Sequence, residues 1–357
     1  MKRLKSELKE LLLVGTVIPA HPLALNADRT LDEDRQRRLT RYYIATGAGG
    51  VAVAVHSTQF EIRDPQINLF KKVLAMAIEE IDNLSLNRPF IKIAGICGIT
   101  EQAVSEANTA VELGYDIGLL SMGGLQSWSE EDILDRVRKV AAVIPIFGFY
   151  LQPSVGGRIF SYDFWRSFVD IQGVEAIKCA SFNRYQTLDV MRAVANSPRR
   201  SEIAMYTGND DNIVTDLLTT YRFNVKGENV SVDFRGGLLG HWAVWTQKAV
   251  ELMTEIKEYK KNPNADQAQA LLTKGTKITD VNAALFDPAH HFHGCIPGIH
   301  EVLRRQGLLN GTWCLNPAEK LSPGQADEIS RVYNDYPELN DDNFVQSFLE
   351  KDNMFPW

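Results

Sequence analysis

Lys178 lies in the run GVEAIKCAS, an apolar stretch in which a charged ammonium would be costly to bury without a partner. Taking a lysine out of water lowers its pKa, and a neutral amine attacks a carbonyl carbon to form an imine. The competing reading is an edge lysine that carries its ammonium to solvent along its apolar stem. A neighbouring run, FGFYLQP, ends in Tyr150 and Pro153, and twenty-eight residues separate Tyr150 from Lys178. Other candidates for chemistry read as structure. His290, His291 and His293 follow one another at spacings of one and two, which does not put imidazoles on one helical face, and no carboxylate or cysteine set completes a metal site. They are expected to be structural or interface histidines. Gly47-Ala-Gly-Gly50 is expected to be a turn entering a strand, and Gly236-Gly237 a tight turn, although some barrels bind phosphate at that place.

The elements that must hold such a lysine are legible as alternating runs. Short apolar, β-branched segments occur at 14–19, 50–55, 90–96, 117–121, 144–150, 176–179, 203–206 and 230–234, with Gly or Pro at their edges. Amphipathic helical stretches lie between them. One spans 32–45, with Asp32 and Glu33 in its first turn and Gly47 beyond its end. Another follows Thr100 and a third follows Ser129, both good N-caps. Eight strands alternating with helices make an α/β protein, either an open doubly wound sheet or a closed barrel. No GxGxxG follows the first strand, so a (β/α)8 TIM barrel is expected over residues 1–240. From 241 to 357 the strand signal gives way to helical stretches at 242–260, 265–273, 278–286, 299–307 and 323–333, a C-terminal helical region.

Composition narrows the class of function. Hydrophobic residues at 45% and charged residues at 23% describe a globular chain with a sizeable core, and a net charge of −7 argues against nucleic acid or an anionic membrane as the main partner. The four cysteines, Cys97, Cys179, Cys295 and Cys314, form no CxxC pair and point to a reducing compartment. In the opening MKRLKSELKELLLVG the apolar run is only LLLVG, too short for a signal peptide, and a cytoplasmic location is expected.

The residues around Lys178 and Tyr150 resemble motifs of the dihydrodipicolinate synthase/N-acetylneuraminate lyase superfamily. Tyr150-Leu-Gln-Pro153 is similar to its YNVP, and Gly173 to Lys178 to its GIK, at the family separation. Pro22-Leu23 resembles its TPF, Ala94-Gly95 the AG that closes its third strand, Ser161 to Trp165 its SPETL, Thr207 to Asp211 its GDD, and Gly237 to Ala243 the turn after its last strand. The match spans roughly residues 14 to 310. No single tripeptide decides it; the order and spacing do.

The resemblance implies a Schiff-base lyase working on a 2-oxo acid, commonly pyruvate, and an aldehyde, without metal or organic cofactor. Lys178 would form the imine and Tyr150 would shuttle protons. The family's GTTGE loop is altered to Val55-His56-Ser57-Thr58-Gln59-Phe60-Glu61. Ser57, or Thr58 if the loop is shifted by one residue, supplies the hydroxyl that binds the substrate carboxylate. His56 reads equally as an acid–base group and as a hydrogen-bonded structural histidine. Arg235 falls where the family has an apolar residue facing the lysine, and it is expected either to bind a carboxylate there or to pair with Asp233 or Glu175. Two departures argue against the lysine-biosynthesis enzyme itself. Gly123 and Gly124 replace its second proton-relay tyrosine, and Val155 stands at its substrate-binding arginine, with Arg158 nearby. A sugar-acid dehydratase of the same superfamily, a hydratase-aldolase, and a non-catalytic binding or structural barrel remain alternatives. A homo-oligomer, tetramer or dimer, is the family expectation.

Overall fold

The computed structural model describes residues 2–354. The chain opens with α1 (Ser6–Val14), β1 (Val17–Pro19), α2 (Glu33–Ala45), β2 (Gly50–Val53) and α3 (Phe70–Asn83). Next come β3 (Ile91–Ile96), α4 (Thr100–Glu112), β4 (Ile117–Leu120), α5 (Glu130–Ala141), β5 (Ile146–Leu151), α6 (Tyr162–Val169), β6 (Val174–Ala180) and α7 (Arg184–Asn196). They are followed by β7 (Ala204–Thr207), α8 (Ile213–Leu218), β8 (Thr220–Val225) and β9 (Glu228–Leu239). Five helices end the chain: α9 (Thr246–Lys261), α10 (Ala265–Phe286), α11 (Cys295–Arg305), α12 (Gln325–Asp335) and α13 (Asp342–Asp352). Eight parallel strands, β1 to β7 and β9, make this an α/β protein of the (β/α)8 barrel class with a C-terminal helical extension.

Two compact units compose the chain, Met1–Thr16 with Ile91–Leu238, and Val17–Phe90 with Leu239–Trp357. In the first, β3 to β7 and then β9 run side by side as a parallel series. β4, β5 and β7 are buried along their whole length, the pattern of a parallel sheet covered on both faces. Gly148 lets α6 approach, because a Cβ there would meet the Phe168 ring at 2.6 Å. The helices start where side chains can receive their first N–H groups. Ser129 accepts from Asp132, Ser161 from Phe164, and Asn183 from Tyr185 and Gln186. Helix α1, which has no counterpart among the sequence expectations, buries Leu8 and Leu12, and its Leu12 carbonyl accepts from the Tyr206 hydroxyl at 3.1 Å.

The strand expected at 230–234 is one half of a hairpin. β8 pairs antiparallel with the first half of β9, from Thr220 against Asp233 to Val225 against Glu228. Exposed Thr220, Arg222 and Asn224 alternate with half-buried Tyr221, Phe223 and Val225, and Lys226 and Gly227 turn the chain with φ of 53° and 90°. Two left-handed residues are what a two-residue hairpin turn demands. The second half of β9 then leaves β8 and pairs parallel with β7.

In the second unit β1 and β2 run parallel, with Ala20 bridged to Ala52. The stretches expected separately at 265–273 and 278–286 form one helix, α10, of 22 residues. Gly275 lies inside it at a propensity cost of about 1 kcal/mol, which packing against α11 and α12 outweighs. Helix α13 is tied to α2 by ion pairs: Arg41 donates to Asp352 at 2.6 and 3.0 Å and to Glu80 at 2.7 Å, and Arg38 donates to Asp352 at 2.9 Å. Burial pushes the Asp352 carboxyl up, but the Arg41 and Arg38 guanidinium groups outweigh it and hold it below its usual pKa. A carboxylate with a depressed pKa stabilises the fold above the unfolded value of about 3.9 and loses that contribution as pH falls through its folded value. Asp352→Asn is therefore expected to lower stability at pH 7 by about 3 kcal/mol, on the scale of a broken buried pair. The gap to wild type should narrow below pH 4, as read by urea unfolding across that range.

Candidate active site

Register decides which side chains share space with the Lys178 amine. Lys178 is paired with Phe149 of β5 and Tyr206 of β7, and its neighbour Cys179 with Tyr150 and Thr207. Residues in register across parallel strands point to the same face, and successive residues to opposite faces. The Cys179 face is the helical one, since its sulfur lies 3.7 Å from the Thr187 hydroxyl of α7. On the Lys178 face, the amine sits 4.5 Å from the centre of the Phe149 ring, and Tyr206 packs edge-on against Phe147. Lys178 is 9% exposed.

Tyr150 is in register with Cys179, the residue after Lys178. Its ring lies against Trp165 at 5.0 Å and Phe160 at 6.0 Å, on and before α6, and its hydroxyl receives the Phe160 N–H at 3.5 Å. Burial pushes this phenol up to about 12. A separation of twenty-eight residues fixes no face; the strand pairing sets it, Phe149 with Lys178 and Tyr150 with Cys179. Arg235 lies on β9, next to β7. It is exposed, at an irregularity where Met205 pairs with Phe234 and Tyr206 with Gly236. A Cβ on Gly236 would meet the Tyr206 ring at 2.8 Å, so Gly236 faces the lysine side. Glu175, one of its two expected partners, is paired with Lys9 at 3.0 Å.

A turn inside the Thr207–Asp211 motif, with no role expected from sequence, forms a wall beside the lysine. A Cβ on Gly208 would lie 2.5 Å from Lys178 Cε, so only glycine fits there. The turn is held from both ends: Gly208 N–H donates to the Cys179 carbonyl at 2.7 Å, and Phe182 N–H to Asn209 Oδ1 at 3.0 Å. Beneath it, the buried Asp216 carboxylate accepts from Thr207 at 2.7 Å, Asn209 at 2.8 Å, Asn212 at 3.1 Å and Arg184. Arg158, considered as a substitute carboxylate binder, donates to the carbonyls of Leu125 and Trp128 at 3.1 and 2.8 Å and so fastens the loop before α5 to the loop before α6.

In the second unit His56, Ser57 and Thr58 come together in one 3-10 turn after β2. Thr58 Oγ1 accepts from Val55 N–H at 3.2 Å and donates to the His21 carbonyl at 2.6 Å, and Ser57 donates to the same carbonyl at 3.3 Å. His56 is half-buried, its ring 6.0 Å from that of Phe60. Gln59 follows with φ of 68°, the left-handed conformation that favours glycine. His21, not singled out from sequence, is fully buried between the Pro22 carbonyl and Thr40, and burial pushes its pKa down to about 4. The cluster at 290–293 is exposed apart from Phe292, and His290 is held by Asp287 at 2.5 Å. No group of three or more His, Cys, Asp or Glu side chains suited to a metal ion occurs among the described residues. No described helix is long and apolar enough to cross a membrane.

Solved structures share this architecture at low identity. A dihydrodipicolinate synthase from Oceanobacillus iheyensis matches with a TM-score of 0.71 at 16% identity, over 90% of this chain and 96% of that one. An N-acetylneuraminate lyase from Fusobacterium nucleatum matches at 0.69 and 16%, over 91% and 99%. A dihydrodipicolinate synthase from Bacillus clausii matches at 0.72 and 15%, over 92% and 99%. At such identities the likeness establishes the fold. No protein-family model matches the chain, and no curated protein matches its sequence.

The side-chain placement makes two substitutions informative. A tyrosine that shuttled protons at an imine would, when changed to Phe, slow the chemistry by about 10²- to 10⁴-fold. With its hydroxyl directed at Phe160, Tyr150→Phe is expected to leave the rate of adduct formation at Lys178 within about threefold, well short of that general acid–base loss. Arg235→Leu is expected to leave the half-saturating concentration of a 2-oxo acid unchanged. Both are read by timed borohydride trapping.

Proposed function

We propose that this chain is a class I aldolase-type lyase of the dihydrodipicolinate synthase/N-acetylneuraminate lyase kind, cleaving or forming a carbon–carbon bond of a 2-oxo acid through a Schiff base on Lys178. The observation that carries the reading is a lysine amine buried on an apolar strand of a (β/α)8 barrel, against an aromatic ring and a turn where only glycine fits. A binding scaffold has no use for such a group. An imine-forming enzyme does, because an amine kept from water attacks a carbonyl. The names carried by the similar folds support the same chemistry.

In this reading the neutral amine of Lys178 adds to the keto carbon of a 4-hydroxy-2-oxo acid. The carbinolamine loses water; as the 4-hydroxyl gives up its proton the C3–C4 bond breaks, its electron pair passes into the iminium to form an enamine and an aldehyde departs, after which protonation and hydrolysis of the enamine release pyruvate and the free amine. Condensation is the reverse. By the family resemblance, the hydroxyl of Ser57 or Thr58 is assigned to the substrate carboxylate. His56 is the group on their turn whose ordinary pKa suits proton transfer near neutrality. Tyr150 supports the strand from its helical face. Gly123, Gly124 and Val155 disfavour the lysine-biosynthesis reaction, and Arg158 does not replace the missing arginine while it serves two loop carbonyls.

Borohydride reduction with a panel of 2-oxo acids, pyruvate first, is expected to add one reduced keto-acid unit per chain, located at Lys178 by peptide mapping. Lys178→Arg should abolish it, because arginine keeps the charge but offers no neutral nucleophile. A panel that leaves Lys178 unmodified overturns the reading. A homo-oligomer is part of the proposal, and sedimentation of a 40 kDa species alone at micromolar concentration would contradict it.

A further inference from the structure

Asn209 follows Gly208 in the turn beside Lys178, and both ends of its carboxamide are engaged. The residue is fully buried. Its Oδ1 accepts the Phe182 N–H at 3.0 Å, and its Nδ2 donates to Asp216 Oδ2 at 2.8 Å. Its own N–H donates to the Thr207 hydroxyl at 3.2 Å, which donates in turn to the same Asp216 oxygen at 2.7 Å. One side chain thus joins the loop after β6, the strand of Lys178, to the turn after β7. The join needs an acceptor and a donor on one short side chain. A carboxylate in its place would accept from Phe182 but would meet Asp216 with a like charge.

The position of that turn sets the room left to the lysine. A Cβ on Gly208 would lie 2.5 Å from Lys178 Cε and 3.0 Å from its Cγ, so a small movement of the turn presses on the stem or frees it. The other end of the join is held at a cost. Phe182 has a φ of 52°, a left-handed conformation that a bulky side chain rarely adopts and that persists only where its surroundings impose it. The anchor is fixed as well, since Asp216 also accepts from Asn212 and Arg184. All of these residues lie with Lys178 in the same compact unit.

We infer that Asn209 is a positioning residue for Lys178, its carboxamide locking the ends of β6 and β7 together so that the Gly208 turn holds the lysine stem ready to attack a carbonyl. This rests on the proposed function above. Asn209 acts through Gly208 and not on the substrate.

Asn209→Asp tests the join by replacing its donor with an acceptor. The new carboxylate keeps the bond from Phe182 N–H, but its second oxygen faces the carboxylate of Asp216. Two carboxylates in contact do not both ionise readily, and the pKa of one is raised. The join is therefore present while they share a proton and lost as pH rises through that raised value. The other titratable groups around Asp216 are Arg184 of α7, Asp211 beyond the turn, Tyr221 of β8 and Cys179 of β6. The readout is cyanoborohydride trapping at Lys178 with a saturating 2-oxo acid, as a rate per folded chain relative to wild type. That ratio should stay within about threefold of one near pH 5 and fall by roughly 10- to 100-fold near pH 8, the scale of a misplaced reacting group. The half-saturating concentration should change less than the rate. Asn209→Ala, which adds no charge, should show the loss at both pH values, and it keeps the test open if Asn209→Asp does not fold. A wild-type rate in folded Asn209→Ala, or a loss in Asn209→Asp that is equal at both pH values, overturns the inference and leaves Asn209 a purely structural latch. A wild-type protein that forms no adduct with any 2-oxo acid overturns the function itself, so the two failures are read in different proteins.

Discussion

The alternation of side chains along β6, locked by its pairing with β5 and β7, is the constraint on which the site depends. It turns Lys178 towards Phe149 and Tyr206 and turns Cys179, with Tyr150, towards the helices. A shift of one residue would exchange the two faces and put the amine among α6 and α7. The turn at Gly208 exists on the same terms, since its N–H is held by the carbonyl of Cys179 and its missing Cβ leaves room for the lysine stem. The Asp216 carboxylate, fully supplied with donors, keeps that turn from relaxing.

A second organising feature is the use of the C-terminal extension as a fastening. Asp352 closes it onto α2 through two arginines, and the Thr312–Leu315 stretch is gripped by Arg29 and Gln59. Both tethers reach residues more than two hundred and fifty positions earlier in the chain. The extension is in this sense part of the structure that supports the hydroxyl turn.

Much of the architecture is legible in sequence because period and punctuation report it directly. The eight parallel strands and the helical character beyond residue 240 follow from short apolar runs and capped amphipathic ones. Lys178 stands out because a lysine in an apolar strand is costly. What escapes a reading of the sequence depends on pairing. The hairpin of β8 carries a legible signal, alternation around Lys226-Gly227, but the apolar run at 230–234 reads by itself as a single short strand and hides it. Tyr150 and Arg235 are placed by spacing and alignment, which give a position along the chain and no face. Gly208, Asp216, His21 and Gln59 act through contacts with partners that no local pattern reveals, although Gly208 and Gln59 lie in segments, GND and STQ, that the family resemblance brings to notice.

The central claim, that Lys178 is the nucleophile and works on the face it shares with Phe149, is tested most directly by a crystal structure of the borohydride-trapped adduct. The account predicts a new carbon–nitrogen bond at Lys178 Nζ, the added carbon lying beside the Phe149 ring, and the Tyr150 hydroxyl still at the Phe160 N–H. An adduct on another lysine, or Tyr150 turned round to meet the amine, would contradict it.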